Sequence, residues 1–403
     1  MTYYQLPTTY QNIYKHLDCV KSSKTPEPVI SNSLSYYLYE IKGKLEQKER
    51  DWDIFKKYTN PFEYIHTVVP FKKRCVSKYR PLSRSFFKMI EMINTFQLHY
   101  DSKPIKTFHL AEGPGGFIEA IAETRKCPHD YYVGMTILDD DDPNIPAWKK
   151  TEHFLREHRN VFIEAGADKT GNILSVENFK YCKEKYGSTM DLMTADGGFD
   201  FSMDFNSQEI HISKLLFAQV SYALVMQKSG GTFILKIFDC FMNHTIDVLH
   251  ILSAFYDKVF IMKPRTSRYA NSEKYVVCKG FKFGDSKSFY PYLIRAFEKM
   301  MLAPPPGMEE LSIQRFLNIP ASYYLLKKVE EYNAIFGQQQ IENIHYTISL
   351  IENKHKQEKI DTLIRLNVQK CIHWCLKNSI PFHEGGGTKE GEPRFPLRPP
   401  PFL

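Results

Sequence analysis

GGTFILKIFD, residues 230–239, sets a lysine inside an otherwise apolar, β-prone run bounded by Gly230 and Gly231. Such a run reads as a strand covered on both faces of a sheet, where an unpaired ammonium group is expensive to desolvate. Lys236 therefore needs an acidic partner or a function. Short apolar runs of the same kind flank it: IKTFHLAE, YYVGMTIL, NVFIEA and MDLMTAD before, KVFIMK and KYVVCKGF after. With helical stretches at 116–125, 209–228 and 244–256 between them, these runs predict an α/β sheet over 105–283. The last two runs are too close in sequence for a crossover helix, so the final strand is expected to enter antiparallel.

The ends of these strands carry the candidate chemistry. The first runs into HLAEGPGGFIEAI, a glycine-rich turn at 113–116 between strand and helix, where a ligand can approach the backbone and the helix N-terminus offers N–H donors. The EGPGG order with Pro114 is not a dinucleotide fingerprint, and a tight structural turn fits the same residues. TADGGFDFS puts Asp196 at the carboxyl edge of the sheet, where ligands of open α/β sheets bind. Lys236 follows on the next strand, and Glu273 just precedes the last one. Two lysines and two acids can thus converge at one end of the sheet, and a lysine among carboxylates escapes its desolvation cost by pairing.

Outside the sheet, SRSFFKMIEMINTFQL (83–98) spaces Phe86, Met89, Ile90, Ile93 and Phe96 as a helical stripe, with Lys88 off it and Ser83 or Ser85 available as a cap. The stretch before and into it, FKKRCVSKYRPLSRSFFK (71–88), carries Lys72, Lys73, Arg74, Lys78, Arg80, Arg84 and Lys88 without an acid, interleaved with Phe and Tyr. That mix suits phosphates and stacked bases, and a solvated basic loop has the same composition. It gathers much of the excess of 53 Lys and Arg over 46 Asp and Glu. No apolar stretch approaches the ~20 residues of a membrane helix. The aromatic, polar start MTYYQLPTTYQNIYKHL predicts no secretory signal, so an intracellular protein is expected. The eight cysteines are scattered, and reduced thiols are the default. CIHWC sets Cys371 and Cys375 a helical turn apart beside His373, half of a metal site without a second half or simply packing; no metal is expected.

The set FKM (Lys88), GPGG, ADGGF (Asp196), GGTFILKIF (Lys236) and KPRTSRYANSEKYVV (Glu273) resembles the FtsJ-like ribose 2'-O-methyltransferases and their Lys-Asp-Lys-Glu tetrad. GMTI, ADGGF, GGTFILKIFD and TSRYANSEKYVVCKGF look most like the enzymes that make the cap-1 structure on messenger RNA. NPFE at 60–63 is similar to a further element of that group; Lys78 competes for the first lysine, and Lys88 is preferred because RSFFKM matches the family's arrangement.

The resemblance implies a Rossmann-like methyltransferase fold with a seven-stranded mixed sheet, its last strand antiparallel, over 60–283. An N-terminal extension (1–59), a helical C-terminal region (284–383) and a flexible Gly/Pro-rich tail (384–403) surround it. It implies S-adenosylmethionine over Glu112, Gly113, Pro114, Gly115, Gly116 and Phe117, with Asp168 at the adenosine and Asp139, first of an aspartate run or a solvated turn, at the ribose. Capped RNA would meet Arg84, Asn206, Ser207, Gln208 and Arg268, although residues 206–208 also suit helix capping. Lys236 would act as general base or orient the ribose hydroxyl, a chemistry that requires no metal. The implied activity converts cap-0 to cap-1 on capped mRNA, with other capping or transcription proteins as possible partners. An enzyme acting on ribosomal or transfer RNA and an inactive RNA-binding scaffold are the alternatives. The compartment would be the cytoplasm for a large DNA virus that caps its own transcripts and the nucleus for a cell.

Overall fold

All seven apolar runs form strands of one sheet, and the N-terminus adds an eighth. The structure, a computed structural model, describes residues 3–9, 12–45, 48–98, 103–138, 147–198, 207–304, 307 and 310–383. In chain order the first half runs β1 (Tyr3–Gln5), β2 (Leu17–Ser22), α1 (Asn32–Gly43), α2 (Glu49–Thr59), α3 (Ser85–Phe96), β3 (Lys106–Leu110), α4 (Gly116–Arg125), β4 (Tyr131–Met135), α5 (Glu152–Glu157), β5 (Val161–Glu164) and α6 (Val176–Tyr186). The second half runs β6 (Met190–Ala195), α7 (Gln208–His211), α8 (Ser213–Met226), β7 (Gln227–Ile237), α9 (Asn243–Phe255), β8 (Tyr256–Met262), β9 (Lys274–Phe281), α10 (Tyr290–Met301), β10 (Ser312–Leu317), α11 (Tyr323–Glu352) and α12 (Gln357–Lys377).

The strand order is β1-β8-β9-β7-β6-β3-β4-β5. Strands β3 to β7 pair in parallel, β9 enters antiparallel between β7 and β8 as expected, and β1 caps the β8 edge antiparallel. The region expected to be helical also holds β10, which pairs with β2 in a separate two-stranded sheet. Each of these additions has few residues and no periodicity of its own, so only the partner strand defines it.

The sheet is covered on both faces, as its continuous apolar runs require. Phe233, Leu235 and Ile237 of β7 pack with α6, α8, α9 and α10, whereas Ile234 packs with α3, α4, part of α11 and α12. Side chains alternate along a strand, so Lys236 shares the face of Ile234 and points toward α3. The expected serine cap of α3 is not made. Its N-cap is Arg84, and the Ser83 and Ser85 hydroxyls bond each other at 2.5 Å instead, tucked against Gly116. Cys371 and Cys375 are buried on α12, with the Cys371 thiol directed at the Pro61 carbonyl at 3.5 Å. Among the described residues no group of three metal-ligating side chains forms, and no helix is long and apolar enough to cross a membrane.

Candidate active site

Because β3 to β7 are parallel, their carboxyl ends gather along one edge, and antiparallel β9 brings its amino end to the same place. Asp196 follows β6, Lys236 is the penultimate residue of β7, and Glu273 immediately precedes β9. The Lys236 ammonium lies 3.3 Å from Asp196 Oδ1 and donates to the Asp196 carbonyl at 2.6 Å. Lys88, in the first turn of α3, lies 2.7 and 2.9 Å from the two oxygens of Glu273. The sequence-predicted tetrad is therefore assembled as two ion pairs.

Tyr275 joins them. It is the register partner of Lys236 across β7 and β9, its hydroxyl donates to Asp196 Oδ1 at 2.8 Å, and the Lys88 ammonium sits 5.9 Å from its ring centroid. Ser267 donates to Glu273 Oε1 at 2.7 Å, and Lys263 donates to the Glu273 carbonyl at 2.9 Å from behind. Burial pushes the Glu273 carboxyl up, but the Lys88 and Lys236 charges and the Lys88 and Ser267 hydrogen bonds outweigh it and hold it well below the carboxylate range. Burial and the neighbouring Lys274 ammonium bring Lys263 down to about 7. Gly198 keeps the chain close to Lys236, since a Cβ there would lie 3.2 Å from its nitrogen.

The glycine turn lies at the same edge, between β3 and α4. Glu112 is buried; its Oε1 accepts the N–H groups of Phe117 at 2.5 Å and Ile118 at 3.3 Å, while Oε2 has no partner. Gly115 adopts φ +108°, which favours glycine, and side chains at Gly113 or Gly116 would run into the Ala147 carbonyl or the Ser83 and Ser85 hydroxyls. Phe117 is fully buried, so its contribution to the turn is its N–H rather than its ring. Burial and the charge of Asp196 push the Glu112 carboxyl well above its ordinary range, a cost that a cation brought to Oε2 would relieve. The narrow turn and this orphaned oxygen fit the ammonium of an amino acid such as that of S-adenosylmethionine. Asp168, in the loop after β5, accepts from Thr170 N at 2.9 Å, Thr170 Oγ1 at 2.7 Å and Asn178 Nδ2 at 2.8 Å. Slight burial raises it, but these bonds bring its carboxyl down to about 2. Asp139 and Asn206 lie outside the described residues.

A cavity of about 410 Å³ opens beside the tetrad, lined by Gly198, Lys236, Glu273, Gln208 and Arg268. Its other wall comes from outside the sheet: Lys42, Trp52, Lys56 and Asn60 in and after α1 and α2, and Gln340 and Asn343 on α11. Gln208 is fixed by Ser272, which donates to its Oε1 at 2.7 Å. Arg268 grips Glu63 with two bonds of 3.0 and 2.7 Å, and Arg84 lies 3.6 Å from the same carboxylate while donating to the Thr266 carbonyl at 2.8 Å. Both arginines remain partly exposed. Glu63, Tyr275 and Lys263 went unrecognised in the sequence; the signal for Glu63 was its place in NPFE, and for Tyr275 its place two residues after Glu273 on one strand face.

Of the basic stretch, Lys72, Lys73 and Arg74 are exposed, and Phe71 is 93% exposed at φ +63°. Tyr79 is not free to stack on a ligand, because its ring lies on Phe86 and its hydroxyl donates to Glu119 at 3.0 Å.

Residues 81–281 match the family model of the FtsJ-like methyltransferases, and this part of the chain belongs to that family. The relatives it matches are named for the mRNA cap, one of them as inactive. Cap-specific mRNA (nucleoside-2'-O-)-methyltransferase 2 of Pongo abelii is 28% identical over 353 residues, which span 84% of this chain and 44% of that protein. Cap-specific mRNA (nucleoside-2'-O-)-methyltransferase 1 of Mus musculus is 33% identical over 239 residues, 56% of this chain and 28% of that protein. A Caenorhabditis briggsae relative named as the inactive methyltransferase 1B is 25% identical over 274 residues, 66% of this chain and 31% of that protein. The chain thus spans less than half the length of these relatives.

Proposed function

We propose that the chain methylates the ribose 2'-hydroxyl of the first transcribed nucleotide of capped messenger RNA, from S-adenosylmethionine. The observation that carries this reading is the pairing of Lys236 with Asp196 and of Lys88 with Glu273 at the sheet edge that also bears the glycine turn, with Lys236 and Glu273 lining a cavity. The donor, when bound, supplies a methyl group on a sulfonium. The chain's own residues must align a ribose hydroxyl with it and remove one proton as the C–O bond forms and the S–C bond breaks. Lys236 takes the proton of that hydroxyl on its amine or, as an ammonium, orients the hydroxyl for proton loss to solvent, steadied by Asp196 and by Tyr275 behind it. Lys88, held by Glu273, keeps a second positive charge beside the oxygen as it gains anionic character. Alignment in a cavity closed on one side adds rate through effective molarity.

Glu112 to Phe117 and Asp168 are assigned to the donor, and Arg84, Ser207, Gln208 and Arg268, with Asn206 beside them in sequence, to the RNA. Residues 60–283 form the catalytic part in this reading, and the flanking helices supply the far cavity wall. An inactive relative exists, so the activity has to be measured on this chain. Labelled S-adenosylmethionine is incubated with short capped and uncapped RNAs, and nuclease digestion locates the label. Label on the first nucleotide of capped RNA alone is expected. Label on uncapped ribosomal or transfer RNA, label on another nucleotide, or no transfer at all would overturn it.

A further inference from the structure

A second cavity, of about 680 Å³, lies between α3, α12 and the loop before β9, away from the tetrad. Its floor holds a buried acid. Glu91 is 1% exposed; its Oε2 accepts the N–H of Thr266 at 3.0 Å and the hydroxyl of Thr266 at 2.8 Å, whereas Oε1 has no hydrogen-bond partner. Trp374 on α12 also lines the cavity, and its indole N–H is directed at the Glu91 carboxylate without completing a hydrogen bond of good geometry. Glu91 therefore presents a carboxylate that is only partly satisfied at the cavity floor, an uncommon condition for a buried polar group. The rim is cationic, with Arg265 on one side and Lys370 and Lys377 on the other. The two lysines are seven residues apart on α12, two helical turns along one face.

We propose that this cavity is a nucleotide pocket, which receives a base of the same single-stranded RNA beyond the methylated end while Arg265, Lys370 and Lys377 hold its phosphates. The proposal rests on the RNA methyltransferase reading for the identity of its ligand. Two further observations favour a nucleotide. The loop that bears Arg265 separates the two cavities: Arg268 and Glu273 line the first, Arg265 lines the second, and Glu91 lies three residues along α3 from Lys88. The end of α12 also meets the exposed basic loop, since Lys78 N donates to the Pro381 carbonyl at 2.8 Å and His383 N to the Val76 carbonyl at 2.9 Å. Cationic side chains therefore lie both at the cavity rim and on the loop of Lys72, Lys73 and Arg74 that meets the end of α12, and the carboxylate at the cavity floor suits the N–H edge of an unstacked base.

The test uses the full chain with short RNAs, capped and uncapped, carrying 4-thiouridine at successive positions after the first nucleotide. After irradiation, cross-linked peptides are identified by mass spectrometry. Cross-links to residues 366–378 are expected. The double variant Lys370→Glu/Lys377→Glu, both exposed positions, should lose them, bind uncapped RNA about tenfold more weakly and lower the log–log salt slope by about 1.4, from two lost phosphate contacts on a single strand. Methyl transfer to capped RNA without any cross-link in this segment, with the salt slope of the double variant unchanged, would overturn the pocket and leave the enzyme reading intact. Cross-links here without methyl transfer to any RNA would uphold the pocket and overturn the enzyme reading.

Discussion

With the amine of Lys236 gone, Asp196 would still be held by the Tyr275 hydroxyl, and Lys88 would still face Glu273, so the edge of the sheet keeps its shape. Lys236→Ala should therefore lower methyl transfer by at least about 100-fold, the usual lower bound for a positioned acid–base group. Donor binding, which depends on the glycine turn, should stay unchanged. Single-turnover rates and calorimetric titration with S-adenosylmethionine check this, and near wild-type turnover would remove Lys236 from the chemistry. Tyr275→Phe deletes only one hydrogen bond, worth about 1 kcal/mol net, and should cost about fivefold in kcat with little change in melting temperature. Lys236, Asp196 and Glu273 were readable from the sequence because polar residues at the ends of apolar strands must gather at one edge. Lys88 was readable only through its motif, because nothing about a helix predicts which strand end it faces. Glu63 could not be paired in advance with Arg268, since 205 residues separate them.

In the proposed reading, elements off the sheet would determine where RNA lies. The loop that carries Lys72, Lys73 and Arg74 is tied to α4 through Glu119, which accepts from the Leu82 N–H at 2.8 Å and the Tyr79 hydroxyl at 3.0 Å. Reversing the three exposed charges should weaken RNA binding and cut the salt slope by roughly 2, and a titration of affinity against salt measures it. An unchanged slope would make the loop a solvated surface only. Burial raises the Glu119 carboxyl to about 7, against the hydrogen bonds it accepts. The folded state therefore favours its protonated form, and its contribution to stability is fully present below about pH 4.5 and lost as pH rises through about 7. Glu119→Gln should lack this loss, which amounts to on the order of 3 kcal/mol in wild type. Melting curves between pH 4 and 8 compare the two, and parallel profiles would refute it. The helices at 116–125, 209–228 and 244–256 were legible as the stretches between the apolar runs, the second being two helices, α7 and α8, followed by the start of β7, whereas β1, β2 and β10 are strands only by virtue of partners hundreds of residues away.

At the scale of the molecule, the cavity by the tetrad is closed by parts of the chain outside the matched family domain. Lys42 of α1 reaches the end of the sheet and pairs with partly buried Asp239 at 3.0 Å, although 197 residues separate the two. Burial pushes Asp239 up, yet the charges of Lys42, Lys274 and Lys263 bring it below its ordinary value. Its contribution is present above the unfolded pKa and lost as pH falls through the lowered one. This latch sets α1 against α11, where Leu34 packs over Gly337, and so builds the wall that faces Lys236. Sequence patterns assign 1–59 and 284–383 to additions because neither carries the motifs of the core, but their helices wall the cavity, so the proposed reading would place substrate selection there. Lys56 lines that wall without joining the tetrad, and its side chain is only partly buried. Lys56→Ala should therefore raise KM for capped RNA severalfold while KM for S-adenosylmethionine and the melting temperature hold. If KM for both substrates stays at the wild-type value, the helical wall is a brace for the fold and selection of the capped end lies within the sheet domain itself.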